Sequence, residues 1–181
     1  MMRQFFLLCF KLAGWTTKGE LPDLKKFVLI VAPHTSMMDF FVGVAARSIF
    51  RLRSNYFVKD SLFKIPVVGW FLRITGGFAV DRSQHTGMVD QAIALFNEKD
   101  RFVLTITPEG TRGLVTKWKT GFYWIATEAN IPIVMVGFDY KERFVEMRPP
   151  FYPTGNLDAD FEVMKAYFRT ITGKHPEKGV M

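Results

Sequence analysis

Cysteine is almost missing from this chain. Cys9 stands alone among 181 residues, which excludes a disulfide framework and a cysteine-built zinc site and points to a reducing compartment. Long hydrophobic runs are missing too. No apolar stretch reaches the ~18–20 residues that a transmembrane helix needs, and the nearest, Phe5 to Phe10, is stopped by Lys11. Repeats and low-complexity stretches are absent, which argues against a disordered chain. Acid is in short supply, 17 Asp+Glu against 24 Lys+Arg, for a net charge of +7.

In excess is soft apolar surface, with 19 Phe, 9 Met and 4 Trp. A greasy and basic protein points to an anionic lipid surface, with nucleic acid as the other class of partner. The length fits a single domain around one core. Residues 1–18 read as an amphipathic or interfacial helix, 19–172 as the main domain, and 173–181, with Gly173, Pro176 and Gly179, as a flexible tail. The N-terminus opens as a secretory signal would, with Arg3 ahead of a short apolar core, but no small-x-small cleavage site follows. Two readings of it stand: a helix on the membrane interface with Trp15 and the lysines at headgroup level, or a terminal helix folded onto the core.

Along the chain, Lys26 to Ala32 is a continuous apolar run closed by Pro33, which predicts a strand buried on both faces. A helix follows from about Ser36 to Ile49, then a short strand at Tyr56–Val58 and a broken helical segment from Ser61 to Thr75 ahead of Gly76-Gly77. Phe78–Val80 is a short strand, Val89 to Phe96 has helical spacing, and Arg101 to Thr107 returns to strand composition. A helix over about 119–129, a buried strand over 131–137, an edge strand at 144–147 and a final helix over 161–171 complete the series. This alternation predicts an α/β domain whose central sheet is mixed, mostly parallel and covered by helices.

Ligands of such sheets gather beyond the carboxyl ends of the strands. Three polar groups lie there: His34 with Asp39, Asp81-Arg82, and Glu109-Gly110-Thr111-Arg112. On one continuous helix His34 and Asp39 would lie roughly 140° apart, so they meet only if His34 is on the loop and Asp39 in the first helical turn. A carboxylate on one imidazole nitrogen then leaves the other free to take a proton near neutral pH. Ser36-Met37-Met38-Asp39 is equally a capping-box pattern, and His85 and Asp90 repeat the five-residue spacing at the start of an ordinary amphipathic helix. In the Glu-Gly-Thr-Arg stretch, Gly110 allows close backbone approach, Thr111 offers a hydroxyl and Arg112 a bidentate phosphate contact, with Arg82 and Lys119 as further cations. The alternative is a surface turn in which Glu109 and Arg112 pair with each other or face water.

Taken together, His34-Thr35-Ser36-Met37-Met38-Asp39, Gly76-Gly77-Phe78-Ala79-Val80-Asp81-Arg82, Pro108-Glu109-Gly110-Thr111-Arg112 and Ile131-Pro132-Ile133-Val134 resemble, in order and spacing, the four blocks of the glycerolipid acyltransferases, which include the lysophosphatidic acid acyltransferases. The resemblance covers about residues 25–140. It implies an α/β acyltransferase domain over 19–172 that moves a fatty acyl group from acyl-CoA or acyl-carrier protein to the hydroxyl of a lysophospholipid-like acceptor, by default 1-acyl-glycerol-3-phosphate. By the same resemblance His34 is the general base, Asp39 supports it, and Arg82, Glu109, Gly110, Thr111 and Arg112 hold the acceptor phosphate. Pro33 stands where the family commonly has Asn, and Met135 where the fourth block usually has a second Pro.

The expected partners are therefore the thioester donor, a lysolipid acceptor and an anionic membrane, with no nucleic acid, no cofactor beyond the donor and no metal. The expected location is the cytoplasmic face of a membrane. Competing classes are a thioesterase-type hydrolase using the same His–Asp pair, and a non-enzymatic basic module on membrane or nucleic acid. The scattered basic residues and the absence of a nucleic-acid-binding signature count against the last.

Overall fold

The chain is described by a computed structural model over residues 2–80 and 87–180. Its elements in order are α1 (Met2–Leu12), β1 (Thr16–Lys18), β2 (Lys26–Ala32), α2 (Met38–Ile49), β3 (Tyr56–Lys59), α3 (Pro66–Thr75), β4 (Gly77–Val80), α4 (Met88–Glu98), β5 (Phe102–Ile106), α5 (Gly121–Glu128), β6 (Ile133–Asp139), β7 (Phe144–Met147) and α6 (Leu157–Phe168). Short 3-10 turns stand before α3 and near the C-terminus. The main sheet runs β1-β7-β6-β2-β5, and β3 and β4 form a separate parallel pair bridged to it where Asn55 meets Leu104. Among the described residues only the β6–β7 strand pair is antiparallel, so the mixed, mostly parallel sheet agrees with expectation.

Strand alternation builds the two covered faces. Val28, Ile30 and Ala32 of β2 join Phe96, Phe122, Met164 and Phe168 under α4, α5 and α6. Phe27, Leu29 and Val31 pack with Ala45, Ala46 and Ile49 of α2 and with Phe10 of α1 on the opposite face. Each fully buried large side chain contributes roughly 1.5–3 kcal/mol. On the first face the Tyr123 hydroxyl donates to Asp160 at 2.8 Å, and Thr154 donates to the same carboxylate through its N–H at 2.7 Å and its hydroxyl at 2.9 Å. This buried acid therefore ties α5 to α6 with both of its oxygens hydrogen-bonded.

Two local expectations need correction. Phe144–Met147 is not an edge strand, because β1 pairs along its outer side with Thr16 opposite Phe144. Residues 16–18, expected within the terminal helix, form strand β1; a three-residue Thr-Thr-Lys strand carries no apolar periodicity by which to know it. Trp15 sits against Phe10 (5.8 Å between centroids) and edge-on to Tyr140 (5.0 Å). The terminal helix packs onto the core through Phe10, which is buried, while Met2, Phe5, Leu8 and Leu12 are exposed. In the segment expected as a tail, the His175 N–H donates to Thr35 Oγ1 at 3.1 Å, and Val180 packs against the core. Among the described residues no helix is long and apolar enough to cross a membrane.

Candidate active site

Parallel register brings the site together. Ile30 of β2 lies opposite Ile106 of β5 and Met135 of β6, so the chain leaves all three strands at the same end of the sheet. His34, Glu109 and Tyr140 follow within a few residues of those ends. Since α2 starts only at Met38, His34 to Ser36 form a loop and Asp39 in the first helical turn reaches back across it.

His34 Nδ1 lies 3.0 Å from Asp39 Oδ2. The same oxygen accepts the N–H groups of Thr35 and Ser36, each at 2.9 Å, and the Tyr140 hydroxyl donates to Oδ1 at 2.7 Å. Holding the loop's backbone N–H groups and contacting the imidazole are thus not alternatives, because one carboxylate does both. Asp39 is buried, at 3% exposure. Burial pushes its pKa up, but the bonds from His34, Tyr140 and the Ser36 N–H outweigh burial and hold it below the usual carboxylate value. Burial and the facing Asp39 charge push the Tyr140 hydroxyl up, keeping it a donor. With Nδ1–H directed at a carboxylate, His34 Nε2 is the nitrogen left to accept a proton.

Glu109 departs from the surface-turn reading. It is buried, and its two oxygens accept the backbone N–H of His34 at 3.2 and 2.9 Å. Burial raises its pKa to about 7 against the pull of the His34 N–H. Gly110 has φ +66°, and a Cβ there would stand 2.8 Å from Lys119 Cε, so glycine is what lets the lysine lie across the turn. Thr111 is exposed and its hydroxyl accepts the Gly113 N–H at 3.3 Å. Arg82, like His85, lies outside the described residues.

His34, Arg112 and Lys119 line one cavity of about 650 Å³, whose walls include Leu29, Val31, Phe40 and Phe138. The cavity joins an apolar trough to three cations, Arg47, Arg112 and Lys119, and an imidazole. Two buried atoms of its lining residues, Arg47 Nε and Thr105 Oγ1, have no hydrogen-bond partner among the described residues. No cluster of three or more His, Cys, Asp or Glu set to hold a metal ion occurs among the described residues. Sequence reasoning missed Tyr140, whose only local signal was its place just beyond a buried strand.

A 1-acyl-sn-glycerol-3-phosphate acyltransferase of Saccharomyces cerevisiae is 32% identical over 125 residues, 65% of this chain and 40% of that protein. One from Escherichia coli is 31% identical over 115 residues, 60% of this chain and 45% of that protein. The chain thus spans less than half the length of these relatives. The crystal structure of the 1-acyl-sn-glycerophosphate (LPA) acyltransferase PlsC from Thermotoga maritima shares the fold, with a TM-score of 0.63 and 21% identity over 92% of this chain and 76% of that one. Residues 16–139, from β1 to the end of β6 and including His34, Asp39, Glu109, Arg112 and Lys119, match the Acyltransferase family, to which this chain belongs.

Proposed function

We propose that the protein transfers a fatty acyl group from acyl-CoA or acyl-carrier protein to the hydroxyl of a lysophospholipid, by default 1-acyl-glycerol-3-phosphate. The observation that carries this reading is the cavity in which His34 shares a wall with Arg112, Lys119 and an apolar trough. Two 1-acyl-sn-glycerol-3-phosphate acyltransferases at 31–32% identity support the same chemistry.

In this mechanism Arg112 and Lys119 hold the acceptor phosphate, joined by Arg82 as the resemblance implies. His34 Nε2 takes the proton of the acceptor hydroxyl, and Asp39 stabilises the imidazolium. The acceptor oxygen forms a bond to the thioester carbonyl carbon, giving a tetrahedral oxyanion. Its collapse breaks the C–S bond, and the proton on His34 passes to the departing sulfur. Glu109 positions the histidine through its backbone N–H. The apolar trough receives an acyl chain.

The protein acts from the cytoplasmic face of an anionic membrane, where the exposed Met2, Phe5, Leu8 and Leu12 of α1 meet lipid. The test is to incubate purified protein with labelled acyl-CoA or acyl-carrier protein and a panel of lysolipids. Acylated lipid is expected. Free fatty acid with no acylated lipid would instead make the protein a thioesterase.

A further inference from the structure

Helix α3 is inside out. A surface helix normally turns its large apolar residues to the core, but here Gly69 and Thr75 are the buried positions. Val67, Trp70, Phe71 and Ile74, spaced i, i+3, i+4 and i+7 on one face, are 77, 61, 41 and 55% exposed. The ridge does not end at the helix. Phe71 contacts Phe40 at 6.0 Å between centroids, and Phe40 lines the cavity that holds His34. Met37 and Phe41, beside Asp39, are exposed next to it. A patch of this kind marks an interaction surface.

Charge says what the surface meets. Residues 47–75, from the last turn of α2 to the end of α3, hold six Lys or Arg and one Asp, a net +5. Residues 2–18 hold three cations and no acid, while the rest of the chain has 15 basic residues against 16 acidic and is nearly neutral. Arg51, Arg53, Lys59, Lys64 and Arg73 are all exposed. The chain's net +7 therefore belongs to the two segments whose helices turn apolar faces outward. Apolar side chains that can enter a lipid leaflet, flanked by cations for its headgroups, match an anionic bilayer.

We propose that α3 is a membrane-docking wedge, inserting Val67, Trp70, Phe71 and Ile74 into an anionic leaflet and setting the cavity mouth against the lipid. The docking stands on surface and charge alone. Its service to acyl transfer rests on the function proposed above.

The test uses the full chain and vesicles of phosphatidylcholine with or without phosphatidylglycerol. Binding is expected to the anionic vesicles and to weaken with salt. Brominated acyl chains are expected to quench the fluorescence of the wild type more than that of Trp70→Phe. The double variant Val67→Glu/Ile74→Glu, altered only at exposed positions, is expected to melt as the wild type does and to lose at least tenfold in partitioning. It is expected to acylate a soluble short-chain acceptor normally but a vesicle-borne acceptor slowly. Equal quenching in wild type and Trp70→Phe overturns the wedge, as does unchanged partitioning of the double variant. A wild-type dimer in sedimentation that the double variant dissolves would assign the face to a second copy and overturn it as well. Absence of acyl transfer to every acceptor, with vesicle binding intact, would remove the proposed function and leave the docking standing.

Discussion

The Tyr140 hydroxyl donates to Asp39 Oδ1 at 2.7 Å, on the oxygen that His34 does not use. The carboxylate is thereby held from two strands at once, its own β2–α2 loop and the residue just beyond β6. In the proposed mechanism Tyr140 is a positioning residue, acting through Asp39.

Tyr140→Phe removes a donor to an ionised group, an interaction worth about 1.5–3 kcal/mol. Asp39 is then expected to bind its proton more readily, since one of the bonds that holds its pKa down is gone. The acidic limb of the kcat/KM profile should move to higher pH, and kcat/KM at neutral pH, where Asp39 stays ionised, should fall through lost positioning of the carboxylate and not through its protonation. A lowered Tm with an unmoved acidic limb would reduce Tyr140 to packing.

His34→Ala takes away the proposed base. Acyl transfer should fall by on the order of 10²-fold or more, while the fold persists because the His34 side chain is partly exposed at 24% and its backbone N–H bond to Glu109 remains available. Near-normal transfer by a folded variant would end the general-base mechanism.

Arg112→Ala should raise KM for a phosphorylated acceptor more than it lowers kcat, since a phosphate contact is present in the ground state as well as the transition state. Lys119→Ala should do the same, and with an acceptor lacking phosphate neither substitution should alter KM. An unchanged KM for the phosphorylated acceptor would take both cations out of the acceptor site.

Glu109 imposes a pH dependence on stability. Its proton is held more tightly in the folded protein, with a pKa of about 7 against an ordinary 4.5. The associated stability is complete below about pH 4.5 and is lost as pH rises towards 7, an effect on the order of 3 kcal/mol. Asp39, whose pKa is lowered, works oppositely and only under more acidic conditions. Glu109→Gln should flatten the fall in Tm between pH 5 and 7. Parallel melting curves for variant and wild type would contradict the shift.

The sheet was legible because β2 and β6 are long apolar runs, and burial on both faces writes itself into composition. The His34–Asp39 pair was legible from a loop and a helix start five residues apart. Long-range partners were not. Nothing around Tyr140 announces a target 101 residues away, and the inward turn of Glu109 depends on the β2–β5 register, which no local pattern encodes. The strand Thr16–Lys18 was unreadable for a related reason, since its only anchor is the edge of a neighbour formed by residues 144–146.

That strand changes how the N-terminal region can be manipulated. Trimming residues 1–18 to improve handling would strip the outer partner from β7 and remove Trp15 from the ring of Tyr140. Lost turnover in such a truncation would then have a second cause besides lost lipid binding, a loosened carboxylate. Charge-bearing replacements at Phe5 or Leu8 leave that wall intact, so they are the way to probe α1 without disturbing the site.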